Sequence, residues 1–466
     1  MNAGAGEPQR DALLDAWFPA LFDADLPGEG LVRVTIFGEG FVLFRGPDGE
    51  PACLPDRCPH RAARLSDGRL VGGEVECLYH GWRFERGGGC VDIPQLGASG
   101  SVPEGAHLKP VPALVVDGLV WIFPGSGAAP AAPESLERLD EAGVHTIDFA
   151  MDLPYGHAAL IENVLDFAHI HIAHDGVRGG GQRAHAGPLR FDVEDRGAKG
   201  FLATFLSKAK SGASGEVTAP RATVHFDAPY LVHYLTEFDT EFNLEDPNPA
   251  PRPGGGAHRF TGLALYALPL EQNRCRLLYR AYGTEFPPED VRRPRWREHL
   301  HQMHLLEQDM AVVMGQVETL RREARPLRES WLPIKSSDPL VLKYAQWTDA
   351  YASEVPGARG WSKPPLGGVR DGQERAVPAL DRWSLHTSQC QSCRPAHRRL
   401  NQNAMKAGLA ACIATLLTAL LPWPYAVVSA ALAALALRNR LVARDLAESL
   451  VADRLSGQST VNGSGR

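Results

Sequence analysis

The segment CPHRAARLSDGRLVGGEVECLYHGWRF, from Cys58 to Phe84, constrains this chain more than any other feature. It holds a Cys-x-His pair (Cys58, His60), a gap of residues 61–76, and a Cys-x-x-His pair (Cys77, His80). Each half thus supplies one sulfur and one nitrogen. A Cys2His2 set suits a structural zinc ion. It also suits a [2Fe–2S] centre with two thiolates on one iron and two imidazoles on the other. The spacing alone leaves both open.

The chain has 466 residues with a formal net charge of −7, and nothing in it points to nucleic-acid binding. Eight cysteines are too few for a disulfide scaffold. They cluster with histidines or as Cys390-x-x-Cys393, which reads as metal and redox use in a reducing compartment. Cys53 and Cys90 lie outside the pattern and read as packing residues. The first residues, MNAGAGEPQRDALLDAWF, have no apolar core and do not read as a signal peptide.

Residues 31–45 read as two short strands, and GPDGE at 46–50 is a hairpin turn signal. Short strands and glycine turns continue to about Pro124, an all-β domain placed at residues 1–125, with a linker at 126–135. A second domain, residues 136–330, carries strand-like stretches at 222–243 and 259–286 and a charged helix at 295–324, an α+β reading. EDPNPAPRPGGGAH (245–258) reads as an exposed loop, and residues 331–403 as an extension carrying the Cys-x-x-Cys. Residues 407–437 contain no charge and are interrupted by Leu-Pro-Trp-Pro. With flanks, residues 404–443 are long enough for a membrane-spanning helical hairpin, since one crossing takes about 20 residues. Basic residues Arg398, Arg399, Lys406, Arg438, Arg440 and Arg444 flank both arms, which puts both ends on one, cytoplasmic or stromal, side. A pair of buried or interfacial alanine-rich helices is the alternative. Residues 444–466 read as a tail.

A second concentration of donors lies in ENVLDFAHIHIAHDG, residues 162–176. Two histidines and one carboxylate on one face of a ferrous ion leave sites open for dioxygen and substrate. Asp166 and His169 are three apart and share a helical face. His169 and His174 are five apart and diverge by about 140° on a continuous helix, so the helix must end near His171. On spacing alone His171 and His157 compete as ligands.

The phrases CPHR, LSDGR, CLYHGWRF and IPQ resemble the Rieske domain of ring-hydroxylating and related oxygenases over about residues 17–96. The second cluster resembles the Asn-x-x-Asp-x-x-His-x-x-x-x-His motif of Rieske non-heme iron oxygenases. That resemblance implies a [2Fe–2S] cluster on Cys58, His60, Cys77 and His80, and a mononuclear Fe(II) on His169 and His174. It implies Asp166 as an electron-transfer bridge and Asn163 as a motif residue. LLEQDMAVVMGQ supplies the third iron ligand as Asp309, with Glu307 the rival. The C-terminal extension with HTSQCQSCRPAH and an apolar hairpin is similar to the pheophorbide a oxygenase group, with its translocon-associated and chlorophyllide-oxygenating relatives. The fold so implied is an all-β Rieske domain, a helix-grip (START-like) catalytic domain and a C-terminal membrane hairpin. The activity implied is oxygenation of an apolar, porphyrinoid substrate with O2 and a ferredoxin or reductase donor, by a head-to-tail homotrimer. No dinucleotide fingerprint is present, since Gly38 and Gly40 sit between strands, and the lack of a transit peptide fits a prokaryotic host or a mature form. Oxygenation of another apolar molecule, chlorophyllide or a sterol, is the rival activity; a non-enzymatic Rieske electron carrier is the rival class. The Cys390/Cys393 pair reads as a thiol switch or as two buried thiols.

Overall fold

The computed structural model describes residues 14–97, 100–177, 180–205, 221–238, 259–271, 273–284, 286, 292–364 and 381–451. The predicted loop at 245–258 lies outside them. The chain divides into two compact units, Met1–Val291 with Gln308–Arg375, and Arg292–Glu307 with Ala376–Arg466.

The first unit is built on antiparallel sheets. Its N-terminal part carries three small ones. Strands Val32–Ile36, Glu39–Arg45 and Pro51–Pro55 form one, and the first two are the short strands expected at 31–45. Gly46 N–H donates to the Glu50 carbonyl, and Gly49 supplies the positive φ of 83° that closes the GPDGE turn. Phe18–Phe22 pairs with Leu119–Ile122, and that strand with Ala113–Val116. Arg69–Val71, Glu74–Glu76, Arg83–Phe84 and Cys90–Asp92 make the third, which supports the cysteine–histidine loops. Its core gathers Val42, Phe44, Leu54, Leu65, Val75 and Phe84 around Cys58 and Cys77. Phe84 is fully buried there, and its truncation to alanine should cost about 3–5 kcal/mol. Cys53 and Cys90 are buried packing thiols, as expected.

A seven-stranded antiparallel sheet follows, running from His145–Leu153 through Arg274–Gly283, Arg259–Glu271, Leu231–Phe238, Arg221–Asp227 and Gly200–Phe205 to Phe191–Asp195. Helix His157–Leu165 buries Ala158, Leu160, Ile161 and Leu165 against it. The N-terminal hairpin is tied to this sheet by Phe37 N–H and Gly38 N–H, which donate to the carbonyls of Pro269 and Leu270. Gly38 therefore serves a strand turn and opens no helix.

In the second unit, helices Cys393–Leu420 and Tyr425–Ser449 pack as an antiparallel pair. Each extends beyond the predicted 404–443, and the predicted tail is helical as far as Ser449. They meet through small residues: Ser429 Oγ donates to the Ala414 carbonyl at 2.6 Å, and a side chain at Gly408 would run into Arg440. Both helices are long and apolar enough to cross a membrane, with only 6% and 11% of their most apolar stretches buried. The unit also holds the first turns of the helix Arg295–Glu323. There Glu307 is gripped bidentately by Arg382, whose Nη1 donates onward to the Ser449 carbonyl.

Candidate iron-sulfur and mononuclear iron sites

Cys58 and Cys77 head two loops that repeat one hydrogen-bond pattern. Cys58 N–H donates to the Ala63 carbonyl at 2.8 Å, and Ala62 N–H returns to Cys58 at 2.9 Å. Cys77 N–H donates to the Trp82 carbonyl at 2.8 Å, and Gly81 N–H returns to Cys77 at 2.9 Å. The residue closing each loop has positive φ, 58° at Ala62 and 77° at Gly81. Asp56 braces the first loop, accepting from Ser66 N–H at 2.7 Å and Ser66 Oγ at 2.8 Å. The two cysteines point into the core and the two histidines outward, His60 exposed and His80 half-buried. The imidazoles lie 4.4 Å apart, centre to centre, with Trp82 stacked on His60.

Burial, with the neighbouring Cys77 adding to it, pushes the Cys58 thiol up to about 11. Partial desolvation, then His60 and Arg61, hold His80 below the ordinary histidine range. The sulfurs thus form one pair and the imidazoles another. Among the described residues these four are not one of the groups whose donor atoms all close within 4.8 Å. A single tetrahedral ion needs all four donors on one point, whereas a two-iron cluster takes them as two pairs.

The second site forms where a helix breaks. Helix His157–Leu165 stops at Leu165, and Asp166 has extended backbone (φ −87°, ψ 91°). The expectation that Asp166 and His169 share one helical face is corrected here. The helix ends at Leu165, not near His171, and the Asp166 carboxylate folds back to accept Ala168 N–H at 2.9 Å. Such a local side-chain bond competes with helix continuation. The short helix Ile170–Ala173 then carries His169 and His174 at its two ends. Their rings stand 5.3 Å apart. The helix Arg295–Glu323 brings Asp309, whose Oδ2 lies 3.3 Å from His174 Nε2 and 3.7 Å from His169 Nε2.

The far nitrogen of each ring is also engaged. His174 Nδ1 meets Gln308 Oε1 at 2.8 Å, and His169 Nδ1 meets the Asp166 carbonyl. These contacts fix tautomer and orientation in the manner of supporting bonds at metal centres. The Asp309 carboxylate, then Gln308, raise His174 above its ordinary range, while burial raises Asp166.

The rivals are elsewhere. His157 is buried against Phe37, and burial lowers it to about 4. His171 packs beside His185. Glu307 is held by Arg382. Gln308 escaped sequence reasoning, its only signal being adjacency to Asp309. So did Tyr155, a fully buried phenol whose hydroxyl has no partner among the described residues and lies in the field of Asp309.

Residues 16–112 match the family described as Rieske [2Fe-2S] domain, and residues 226–326 match pheophorbide a oxygenase. The chain is 32% identical over 407 residues to Protein TIC 55, chloroplastic, of Arabidopsis thaliana, spanning 81% of this chain and 71% of that protein. It is 27% identical over 447 residues to pheophorbide a oxygenase, chloroplastic, of Oryza sativa subsp. japonica, spanning 88% and 77%. The chain belongs to the Rieske non-heme iron oxygenases, in the group of pheophorbide a oxygenase and TIC 55.

Two solved structures share the fold. NdmA of Pseudomonas putida CBB5 aligns with a TM-score of 0.56 at 18% identity, over 73% of this chain and 91% of that one. Dicamba monooxygenase bound to dicamba aligns with a TM-score of 0.56 at 22% identity, over 72% and 96%. As a Rieske oxygenase the chain is an oxidoreductase whose cofactors are a [2Fe–2S] cluster and a mononuclear iron. The family uses O2, electrons from a ferredoxin or reductase, and an apolar substrate. Both donor sets suit these groups: paired sulfurs and paired imidazoles for the cluster, and two imidazoles with one carboxylate for a ferrous ion with open positions.

Proposed function

We propose that this chain oxygenates a chlorophyll-derived macrocycle, of the pheophorbide type, at the expense of O2 and reduced ferredoxin. The carrying observation is the convergence of His169, His174 and Asp309 within 4.8 Å in a chain of this family. In this reading Cys58, Cys77, His60 and His80 hold the cluster, and His169, His174 and Asp309 hold the ferrous ion. When bound, the cluster supplies electrons singly and the mononuclear ion supplies dioxygen activation. Gln308 and the Asp166 carbonyl hold the imidazoles with their Nε2 atoms turned inward. Asp166, partly exposed beside His169, is the bridge towards a cluster on the next subunit of a head-to-tail trimer. Such a ring is a heterologous assembly. Asn163 lies in the last turn of the helix, where its main-chain carbonyl accepts Asp166 N–H at 3.2 Å.

The seven-stranded sheet with its packed helix supports a helix-grip catalytic domain within residues 136–330, behind a Rieske domain at 1–125. The exposed apolar pair at the C-terminus supports a membrane hairpin whose two ends share one side. Leu420 and Trp423 are 79% and 81% exposed at its turn, while Arg438, Arg440 and Arg444 lie at its base. An anchored enzyme suits a substrate as poorly soluble as a porphyrinoid. Similarity to chlorophyllide a oxygenase, chloroplastic, of Arabidopsis thaliana, 29% identical over 376 residues, favours one second reading, the same chemistry on another apolar molecule such as chlorophyllide, with a sterol the more distant case. The test supplies the holoenzyme with ferredoxin, a reductase, O2 and pheophorbide a. Loss of macrocycle absorption is the expected result. An unchanged pigment alongside oxygenation of a different apolar compound rejects the macrocycle.

A further inference from the structure

The pair Cys390-x-x-Cys393 is joined by two histidines that sequence reading did not connect with it. His386 stands four residues before Cys390, and His299 lies near the start of the helix Arg295–Glu323. All four side chains are buried, and one donor atom from each lies within 4.8 Å of the other three. His299 Nδ1 is 3.1 Å from His386 Nε2 and 3.4 Å from each sulfur. His386 Nε2 is 3.3 Å from Cys393 Sγ.

Hydrogen bonding does not account for this knot. An imidazole nitrogen offers one proton or one lone pair in the ring plane. Three heavy atoms nevertheless converge on His299 Nδ1 alone. A central ion satisfies them together. With metal–nitrogen bonds of about 2.05 Å and metal–sulfur bonds of about 2.3 Å, a tetrahedron has edges of about 3.3 Å between nitrogens and about 3.5 Å between nitrogen and sulfur. The observed separations lie within a few tenths of an ångström of those edges.

The loop also turns two backbone donors onto one sulfur. Ser392 N–H and Cys393 N–H both donate to Cys390 Sγ at 3.4 Å. Neither cysteine is joined in a disulfide.

We propose that His299, His386, Cys390 and Cys393 form a closed Cys2His2 zinc site that pins the start of the first apolar helix to the helix Arg295–Glu323. Tetrahedral S2N2 coordination is zinc's preferred geometry, and four protein donors leave no position for substrate, so the site is structural. It rests on none of the functional reading above, because its residues are separate from both candidate iron sites.

The test is metal analysis and zinc-edge X-ray absorption on the full-length protein, purified in detergent from medium containing both iron and zinc. The expected result is about one zinc per chain with a shell of two sulfurs and two nitrogens. That zinc should persist in Cys58→Ser/Cys77→Ser and in His169→Ala/His174→Ala, and disappear in Cys390→Ser/Cys393→Ser. Should the last variant fail to fold, the wild-type protein decides. Alkylation of Cys390 and Cys393 that is blocked until a chelator is added supports the site. A zinc-free protein whose two thiols alkylate without chelator or close into a disulfide, a zinc shell lacking sulfur, or iron in the S2N2 shell overturns it.

Discussion

The two cysteine–histidine loops and the cluster of His169, His174 and Asp309 would both hold metal, yet they are assembled by opposite means. Each loop builds its ligand positions from its own backbone, with the same pair of turn hydrogen bonds under Cys58 and Cys77. The second cluster has no such repeat. Two of its donors sit at the ends of a four-residue helix, and the third comes from a helix that begins more than a hundred residues later. The loops bury their sulfurs in a hydrophobic core, whereas the second cluster depends on Gln308 and a helix break for its aim. A centre made of local turns is specified by a short motif; a centre made at a distance is specified by packing.

The largest effects should separate the two centres. Asp309→Ala or His174→Ala should remove about one iron per chain and abolish turnover, while the reduced cluster keeps its paramagnetic resonance signal. Cys77→Ser should do the reverse to the signal, and also lower the unfolding midpoint, because that sulfur sits in the core. Loss of both signals together in a folded His174→Ala protein would break the contrast.

Glu307 sharpens it. The two acids are two residues apart on one helix, hence about 200° apart around its axis, so only one of them faces the histidines. Glu307→Ala should retain the mononuclear iron but destabilise the protein by about 3–5 kcal/mol, because it leaves the Arg382 guanidinium buried and unpaired. Chemical denaturation and iron analysis on the same sample check both halves. Lost iron with intact stability would exchange the roles of the two acids.

Smaller effects belong to the supporting groups. Gln308→Ala should weaken iron binding 10–100-fold by releasing His174 Nδ1, measured by metal competition. Asp166→Asn should keep both metals and slow single-turnover reoxidation of the cluster; unchanged kinetics would remove the bridging role.

Much of this was legible in the residues. The strands at 31–45, the GPDGE turn, the late helix and the apolar pair were readable because each follows from local periodicity or turn chemistry. The early end of the first catalytic helix was not. It depends on the Asp166 carboxylate capturing Ala168 N–H, a choice between helix and turn that spacing does not decide. Gln308 was invisible for a related reason: its role arises from the His174 ring that packs beside it. The same holds for His299 and His386, ordinary histidines until the fold brings them to Cys390 and Cys393.

The smallest predicted effect tests the symmetry of the two loops. Ala62 and Gly81 occupy equivalent positions with φ of 58° and 77°. A side chain in this region costs about 1 kcal/mol, while replacing alanine by glycine costs about 0.4–1 kcal/mol through the freer unfolded chain. For Ala62→Gly these terms nearly cancel, so stability should change by less than about 0.5 kcal/mol and the cluster should stay intact. For Gly81→Ala the same two terms nearly cancel in the opposite sense, but the new methyl meets Pro94 Cγ at 3.1 Å, and that crowding, worth about 1 kcal/mol, decides the outcome. Pro94 lies just before Gln95, whose Nε2 donates to the His80 carbonyl at 2.9 Å, so a push on that turn reaches a cluster ligand. Gly81→Ala should therefore lose about 1 kcal/mol and shift the reduction potential of the cluster, while Ala62→Gly leaves the potential unmoved. Equal responses at both positions would mean that the loops are interchangeable and that Pro94 yields without consequence.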